Sequence, residues 1–254
     1  MSKSVRAALL ALVVVIAGSG CASGPKLDNY PRSQIDRPYT LPNGVNAWHI
    51  IAPMIYARDN DGSFFFPPVP IPLVWRQSLT DDWALLWTPV PTVQHQFLHT
   101  KTDVIGATLG YNIGYGSVNG VSAGPVLNGT HRHNFSEKLA LETNANFSAN
   151  YYGRTQVFNW STGLTSGPFF QVSPLMALGP RTGLAFEHGY YSNYAVTSKI
   201  APSASTRVTV PLGFWWQYSF SRQWEMTMDY NYLHIGYDNG FYSHVALLSF
   251  IHTW

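Results

Sequence analysis

Apolar and polar residues alternate along several long stretches of the chain. Between Leu139 and Tyr151 one set of alternate residues, including Leu141 and Phe147, is mainly apolar, and the other set is mainly polar. Neighbouring side chains of a β-strand point to opposite faces, so this pattern predicts a strand with one apolar and one polar face. The stretches 208–220 and 224–232 alternate in the same way. Each is long enough for a membrane-crossing strand, which needs about 9–11 residues.

The composition indicates which face is covered by lipid. Only 11% of the residues are charged, against about 25% in an average soluble domain, while aromatic residues reach 15%. No segment after the N-terminal leader approaches the roughly 18 apolar residues of a transmembrane helix. An all-β, antiparallel transmembrane β-barrel satisfies both observations, because lipid-facing and lumen-facing residues alternate. A soluble secreted β-sandwich with inward apolar faces is the disfavoured alternative.

Turn signals divide the chain into about twelve strands, an even number as expected for a barrel with both ends on one side of the membrane. The predicted strands lie near 45–57, 64–78, 83–89, 91–98, 103–115, 121–134, 139–151, 156–177, 182–191, 206–220, 224–236 and 242–254. The turns 79–82, 135–138, 178–181 and 221–223 are assigned to the periplasmic rim. Because Pro89 and Pro91 interrupt two short strands, a barrel of ten strands is the alternative.

The N-terminus has the order of a secretory signal. Lys3 and Arg6 precede an apolar run over 7–17 and small residues that lead to Cys21, the one cysteine of the chain. This segment resembles the bacterial lipoprotein signal, which implies a signal peptide over 1–20 and an acylated Cys21. Cleavage without acylation is the alternative. The proline-containing stretch that follows has no periodicity, so 21–44 is predicted to be the acylated cysteine and a flexible tether, and 45–254 the barrel.

The end of the chain and its turn-then-aromatic repeats resemble those of bacterial outer-membrane β-barrel proteins. The final strand carries alternate Ala246, Leu248, Phe250, His252 and Trp254. The resemblance implies a bacterial outer-membrane location with the N-terminus in the periplasm. It also implies contact with outer-membrane lipids and with the barrel-assembly machinery, which would read Phe250 and Trp254. Nucleic acid is not an expected partner, since the chain without its leader is formally neutral, and no cofactor is expected.

Polar residues on the inner strand faces are the main candidates for function. A charged residue that faces lipid near the midplane costs about 2–4 kcal/mol for Lys or Arg, so charged residues are expected in the lumen. The predicted lumen-facing residues are Arg132, Glu142, Asn144, Asn146, Glu187, Arg207, Glu225, Asp229 and Asn231. They form either an interior plug of paired charges or a small passage for polar solutes. A non-enzymatic structural or surface protein, or a narrow pore, is the favoured function.

Two weaker patterns point to an enzyme site and to a metal site as alternatives. His188 and Ser192 faintly resemble the His-Ser site of outer-membrane lipid A deacylases, which would make the protein a lipid-modifying hydrolase. A four-residue step in a strand separates the two groups by about 13 Å, too far for a nucleophile and its base, so no catalytic residue is assigned. His131 and His133 share a strand face, but no third ligand is indicated and no metal is assigned.

Overall fold

A computed structural model describes residues 27, 30–59, 62–68, 70–87, 90–116, 120–152, 157–190, 204–235 and 242–254. The strands are β1 (Asn46–Asp59), β2 (Gly62–Phe66), β3 (Ile71–Ser78), β4 (Trp83–Trp87), β5 (Pro91–His99), β6 (Asp103–Gly116), β7 (Gly120–Asn134), β8 (Leu139–Tyr152), β9 (Val157–Ser173), β10 (Met176–Tyr190), β11 (Ala204–Ser219), β12 (Trp224–Ile235) and β13 (Tyr242–Thr253). The predicted signal peptide 1–20 and Cys21 lie outside the described residues. In the described part of the chain, no helix is long and apolar enough to cross a membrane.

The sheet closes on itself. β1 pairs antiparallel with β13, from Ala47 opposite Thr253 to Arg58 opposite Tyr242. Twelve strands, β1 and β3 to β13, form the barrel wall, and β2 is an extra strand beside β1. The predicted all-β antiparallel barrel of twelve strands is therefore confirmed, and the alternative of ten strands is wrong.

Two predicted boundaries are wrong, one because of prolines and the other because of a glycine. The predicted strand 64–78 is divided into β2 and β3 by a stretch that contains Pro67 and Pro68, which lack the N–H that a strand ladder requires. The turn predicted at 178–181 lies inside β10, and the chain turns instead at Pro174 and Leu175. A Cβ at Gly179 would lie 2.1 Å from the carbonyl oxygen of Pro168, so this glycine allows close contact with β9 rather than a turn.

The outer face of the wall is apolar. Large side chains with exposed fractions of 38–59% point away from the lumen, among them Leu109, Leu127, Phe147 and Leu164. Near one rim the rings of Trp224, His252, Trp254, Trp48 and Trp75 follow one another with centroid separations of 4.3, 5.5, 6.3 and 6.0 Å. Aromatic rings at the edge of an apolar band are typical of a membrane interface.

Candidate functional site

The segment 30–45 occupies one end of the lumen; we call it the plug. It enters at the end of the barrel where turns 79–82, 100–102, 135–138, 174–175 and 220–223 join the strands, the short-turn end. Its Ile35, Thr40, Leu41 and Val45 are only 1–4% exposed. The predicted flexible tether is therefore wrong for the described residues of 21–44, because this stretch buries its side chains inside the barrel.

Side chains from around the wall bind the backbone of the plug. Asn134 on β7 donates to the carbonyl of Ile35 at 3.1 Å, and Ser78 on β3 donates to that of Leu41 at 2.8 Å. The remaining contacts are Arg76 and Gln94 with the carbonyl of Tyr39, Arg132 with the carbonyl of Arg37, and the N–H groups of Gln34 and Tyr39 with the side chains of Gln171 and Gln96. A buried backbone needs such partners, and here the wall supplies them in place of a regular strand ladder.

A buried ion pair anchors the plug. Arg37 lies 2.5 Å from Glu225 on β12, and the side chains are 6% and 5% exposed. Glu225 also accepts a hydrogen bond from Gln217 at 2.6 Å, and Arg37 donates to Ser219 at 3.1 Å. The guanidinium of Arg37 stands 5.2 Å from the ring centre of Tyr30, and burial raises the pKa of the Tyr30 phenol, which keeps it neutral.

Glycines shape the plug region at two points, one in the wall and one in the plug itself. A Cβ at Gly106 would lie 2.0 Å from the ring of Tyr39, whose hydroxyl contacts Thr108 at 2.8 Å, so this aromatic ring fills a hollow left by the glycine. The plug ends in a tight turn in which Val45 donates to the carbonyl of Pro42 at 3.0 Å. Gly44 has a φ of 76° in that turn, a conformation that favours glycine.

A hydrogen-bonded belt crosses the wall beyond the plug, and we call these six residues the belt: Thr130, Glu142, Asn144, Arg181, Asp229 and Asn231. Arg181 on β10 lies 2.6 Å from Asp229 and 3.4 Å from Glu142. Asn231 donates to Asp229 at 2.7 Å, Asn144 donates to Glu142 at 3.2 Å, and Thr130 donates to Asn144 at 2.7 Å. The belt therefore connects strands β7 to β12 through Arg181.

Strand register explains why Arg181 reaches both carboxylates. Glu142 pairs with Gly167, and Arg181 pairs with Gly213, which in turn pairs with Asn231. Gly167 lies beside Arg181, because a Cβ at Gly167 would meet the Arg181 backbone at 3.0 Å. With no side chain on either side of it, the guanidinium of Arg181 is free to span the wall, and it stands 5.7 Å from the ring centre of Trp215.

A cavity of about 310 Å³ separates the plug from the wall. Three guanidinium groups line it, those of Arg37, Arg76 and Arg132, together with the carboxylates of Glu142 and Glu225. Its other lining residues are Tyr30, Gln34, Pro38, Tyr39, Leu41, Ala47, His49, Gln94, Val104, Thr130, Trp215, Gln217, Thr227, Ile251 and Thr253. Four of the lining residues have a buried polar atom without a hydrogen-bond partner: the Nε of Arg76, the Nε of Arg132, and the Oε1 atoms of Gln34 and Gln94.

The structure brings most of the predicted lumen residues into these networks. Glu142, Asn144, Asp229 and Asn231 belong to the belt, while Arg132 and Glu225 line the cavity. Farther from the plug, Glu187 on β10 stands opposite Arg207 on β11. The side chain of Asn146 lies over Gly163, since a Cβ on this glycine would be 2.7 Å from the Asn146 amide oxygen.

Sequence reasoning missed Arg37 and Arg181, the two cations that bind these acids. Both were assigned to other structures, Arg37 to the tether and Arg181 to a turn. Four predicted lumen acids faced only two predicted lumen bases, Arg132 and Arg207. That imbalance was a signal, because a carboxylate held away from water requires a cation or several hydrogen-bond donors.

A second polar cluster lies on the outer face at the short-turn end. Asp103 accepts contacts from His131 at 3.0 Å and from His133 at 2.9 Å. The candidate ligand atoms of the three residues lie within 4.8 Å of one another, so they could hold a metal ion with open coordination positions. Asp103 supplies the third ligand group, which the sequence pattern did not indicate. It lies beside His133 only because β6 pairs with β7.

His188 lies among different neighbours from those a hydrolase would need. Its Nδ1 contacts the hydroxyl of Thr206 at 2.9 Å, and its ring stacks on Trp160 with centroids 5.8 Å apart. Ser192, the other residue of that hypothesis, lies outside the described residues.

Comparison with solved structures places the chain in the outer-membrane type of β-barrel. An outer membrane channel from Pseudomonas putida superposes with a TM-score of 0.58 at 13% identity, covering 85% of this chain and 97% of the other. The NanC porin gives a TM-score of 0.47 at 10% identity, with 80% and 98% covered. A loop-deletion mutant of OmpT, an outer membrane protein of Vibrio cholerae, gives 0.43 at 6%, with 83% and 99% covered.

The sequence itself has no such matches: no family model and no curated protein matches the chain. The likeness to the channel from Pseudomonas putida therefore shows a shared fold, that of a closed antiparallel outer-membrane barrel.

Proposed function

We propose that the protein is a bacterial outer-membrane barrel that provides a narrow passage for small polar solutes, with the plug forming its most constricted part. The observation that carries the proposal is the space of about 310 Å³ that remains between the plug and a charged wall. A barrel of about eight strands is just filled by its own side chains, so twelve strands leave room inside. Here that room is lined by hydrogen-bonding groups, which suit hydrated solutes.

The wall beyond the belt supports the same proposal. Small and polar groups face the lumen there, including Ser148 and Ser161, whose hydroxyls lie 2.8 Å apart. Gly163 and Gly189 contribute no side chains to the interior. A solute that enters from this end would therefore meet small and polar groups before it reaches the belt and the plug.

The experiment is single-channel recording of the purified full-length protein in a planar lipid bilayer. We expect small conductance steps for the wild type and larger ones for Glu225→Gln, which removes the carboxylate that holds Arg37. Lys138→Gln changes a charge in an exposed turn and serves as the matched control, with unchanged conductance. Silent bilayers with both the wild type and Glu225→Gln would contradict a passage.

A structural barrel without conduction is the second candidate, and the buried ion pair between Arg37 and Glu225 favours it. A plug held by that pair and by the wall contacts could remain docked. Silent recordings would support this role. Release of fatty acid from lipid A or phospholipid, abolished in His188→Ala, would instead support a hydrolase.

We also propose that the short-turn end faces the periplasm and that Cys21 is acylated. Arg222 in a turn at that end donates to the carbonyl of Leu27 at 3.1 Å, which holds the start of the described chain beside the rim. Cys21 lies six positions before Leu27, a stretch that spans at most about 22 Å, so an acyl chain on Cys21 would insert next to the barrel. Palmitate should label the wild type and not Cys21→Ser; an unlabelled wild type with a free N-terminus would contradict acylation.

A further inference from the structure

We infer that the cavity between the plug and the wall is a binding site for a small organic oxyanion, a solute that presents a carboxylate or phosphate group together with a hydroxyl. This inference rests on the proposed function in so far as it names the solute class of the passage. The site itself can be measured without any conduction. Its size agrees, because the cavity of about 310 Å³ is at the lower end of the range of small-molecule pockets.

Charge is the first argument. The two carboxylates that line the cavity already contact other cations, Glu225 with Arg37 at 2.5 Å and Glu142 with Arg181 at 3.4 Å. Arg76 and Arg132 form no ion pair with a carboxylate within the described residues. Their nearest acids, Glu225 for Arg76 and Glu142 for Arg132, act on them without direct contact. A guanidinium kept from water without a contacting carboxylate is costly, and a bound anion would reduce that cost.

Unused hydrogen-bonding capacity is the second argument. Arg76 and Arg132 each donate one terminal nitrogen to a plug carbonyl, Arg76 to that of Tyr39 and Arg132 to that of Arg37. Their Nε atoms are buried without a partner, and the Arg132 residue is 5% exposed. An oxyanion accepts such N–H groups with favourable charge-assisted geometry.

Gln94 adds the preference for a hydroxyl. Its Nε2 donates to the carbonyl of Tyr39 at 3.3 Å, which leaves Oε1 as a buried acceptor without a partner on a residue that lines the cavity. A ligand that carries only acceptor oxygens would leave this atom without a partner, whereas a hydroxyl donates to it. The lining therefore favours a hydroxylated carboxylate or a phosphate over chloride or a plain aliphatic acid.

The test is calorimetric binding of inorganic phosphate and of gluconate to the detergent-solubilised full-length protein at constant ionic strength. We expect saturable binding of both, tighter than that of chloride. Arg132→Gln and Arg76→Gln should each weaken binding at least tenfold, while Lys138→Gln, which removes a charge in an exposed turn, should change it less than twofold. Heat-modifiable gel migration reports whether each variant is a folded barrel.

Arg76→Lys is the second variant if Arg76→Gln does not fold. This variant keeps the charge but removes the Nε donor. It should bind phosphate less tightly than the wild type, but the loss should be smaller than in Arg76→Gln. Phosphate binding no tighter than that of chloride, or an equal loss in Lys138→Gln, would overturn the site. Binding with silent bilayers would contradict the passage and leave the site intact, and conduction without binding would do the reverse.

Discussion

Two ion-pair networks lie in the same lumen and differ in their contact with water. At the plug, the side chains of Arg37 and Glu225 are 6% and 5% exposed. In the belt, the side chains of Arg181, Glu142 and Asp229 are 21–28% exposed. Water screens the belt pairs, whereas the plug pair depends on each partner to offset the other's loss of hydration.

This difference suggests separate roles. The plug network joins a segment of the chain to the wall, so its energy holds the plug in place. The belt joins strands that the sheet already holds together, so its charges contribute mainly to the electric field inside the lumen. In the proposed passage, the same residue types would therefore serve attachment in one layer and selectivity in the other.

The largest effect should follow loss of the buried pair. Glu225→Gln leaves the Arg37 guanidinium buried without its carboxylate, and breaking a buried pair from one side costs about 3–5 kcal/mol. The plug should then open about a hundredfold or more as often, measured as faster chymotrypsin cleavage after Tyr39 in the reconstituted protein. Asp229→Asn is the control in the belt and should leave the cleavage rate nearly unchanged. Equal protection of the wild type and Glu225→Gln would contradict the attachment role.

Removing both charges sharpens the same point. Arg37→Met combined with Glu225→Leu should recover most of the protection, because apolar side chains in place of a buried pair avoid the cost of dehydration. If protection stays lost in the double variant, the attraction between Arg37 and Glu225 stabilises the plug by more than the cost of removing the two charges from water.

Alternation in the sequence was sufficient to predict the wall. The strand predicted over 139–151 is β8 (Leu139–Tyr152), and Glu142 and Asn144 face the lumen as the pattern requires. A period of two is a direct consequence of strand geometry, so it does not depend on which other parts of the chain the strand contacts.

The plug and Arg181 could not be predicted in the same way. The wall holds the plug largely through its backbone carbonyls, which every residue has, so the segment shows no pattern of its own. Gly179 and Pro180 looked like a turn, but close packing of β10 against β9 requires the glycine there. The partners of Glu142 and Glu225 were thus decided by contacts distant in the chain.

An intermediate effect should follow from filling the hollow under Tyr39. Gly106→Val places a side chain where the ring of Tyr39 now lies, and overpacking typically costs about 1–3 kcal/mol. Chymotrypsin should cleave after Tyr39 faster than in the wild type, though less so than in Glu225→Gln. Gly129→Val on the neighbouring strand is the matched control, since a Cβ at Gly129 would have no heavy atom within 4 Å. Equal cleavage of the two variants would show that Tyr39 does not secure the plug.

The smallest effect on stability, but a clear one on selectivity, should follow from neutralising the belt. Glu142→Gln combined with Asp229→Asn removes both partners of Arg181, and partly exposed pairs contribute only about 1 kcal/mol or less each. The uncompensated guanidinium makes the field at the belt more positive, so the reversal potential under a salt gradient should move towards anion preference. Arg181→Gln should move it the opposite way, because two carboxylates then remain. Shifts of the same sign in both variants, or a fall in unfolding temperature as large as in Glu225→Gln, would show that the belt acts as a structural support like the plug pair.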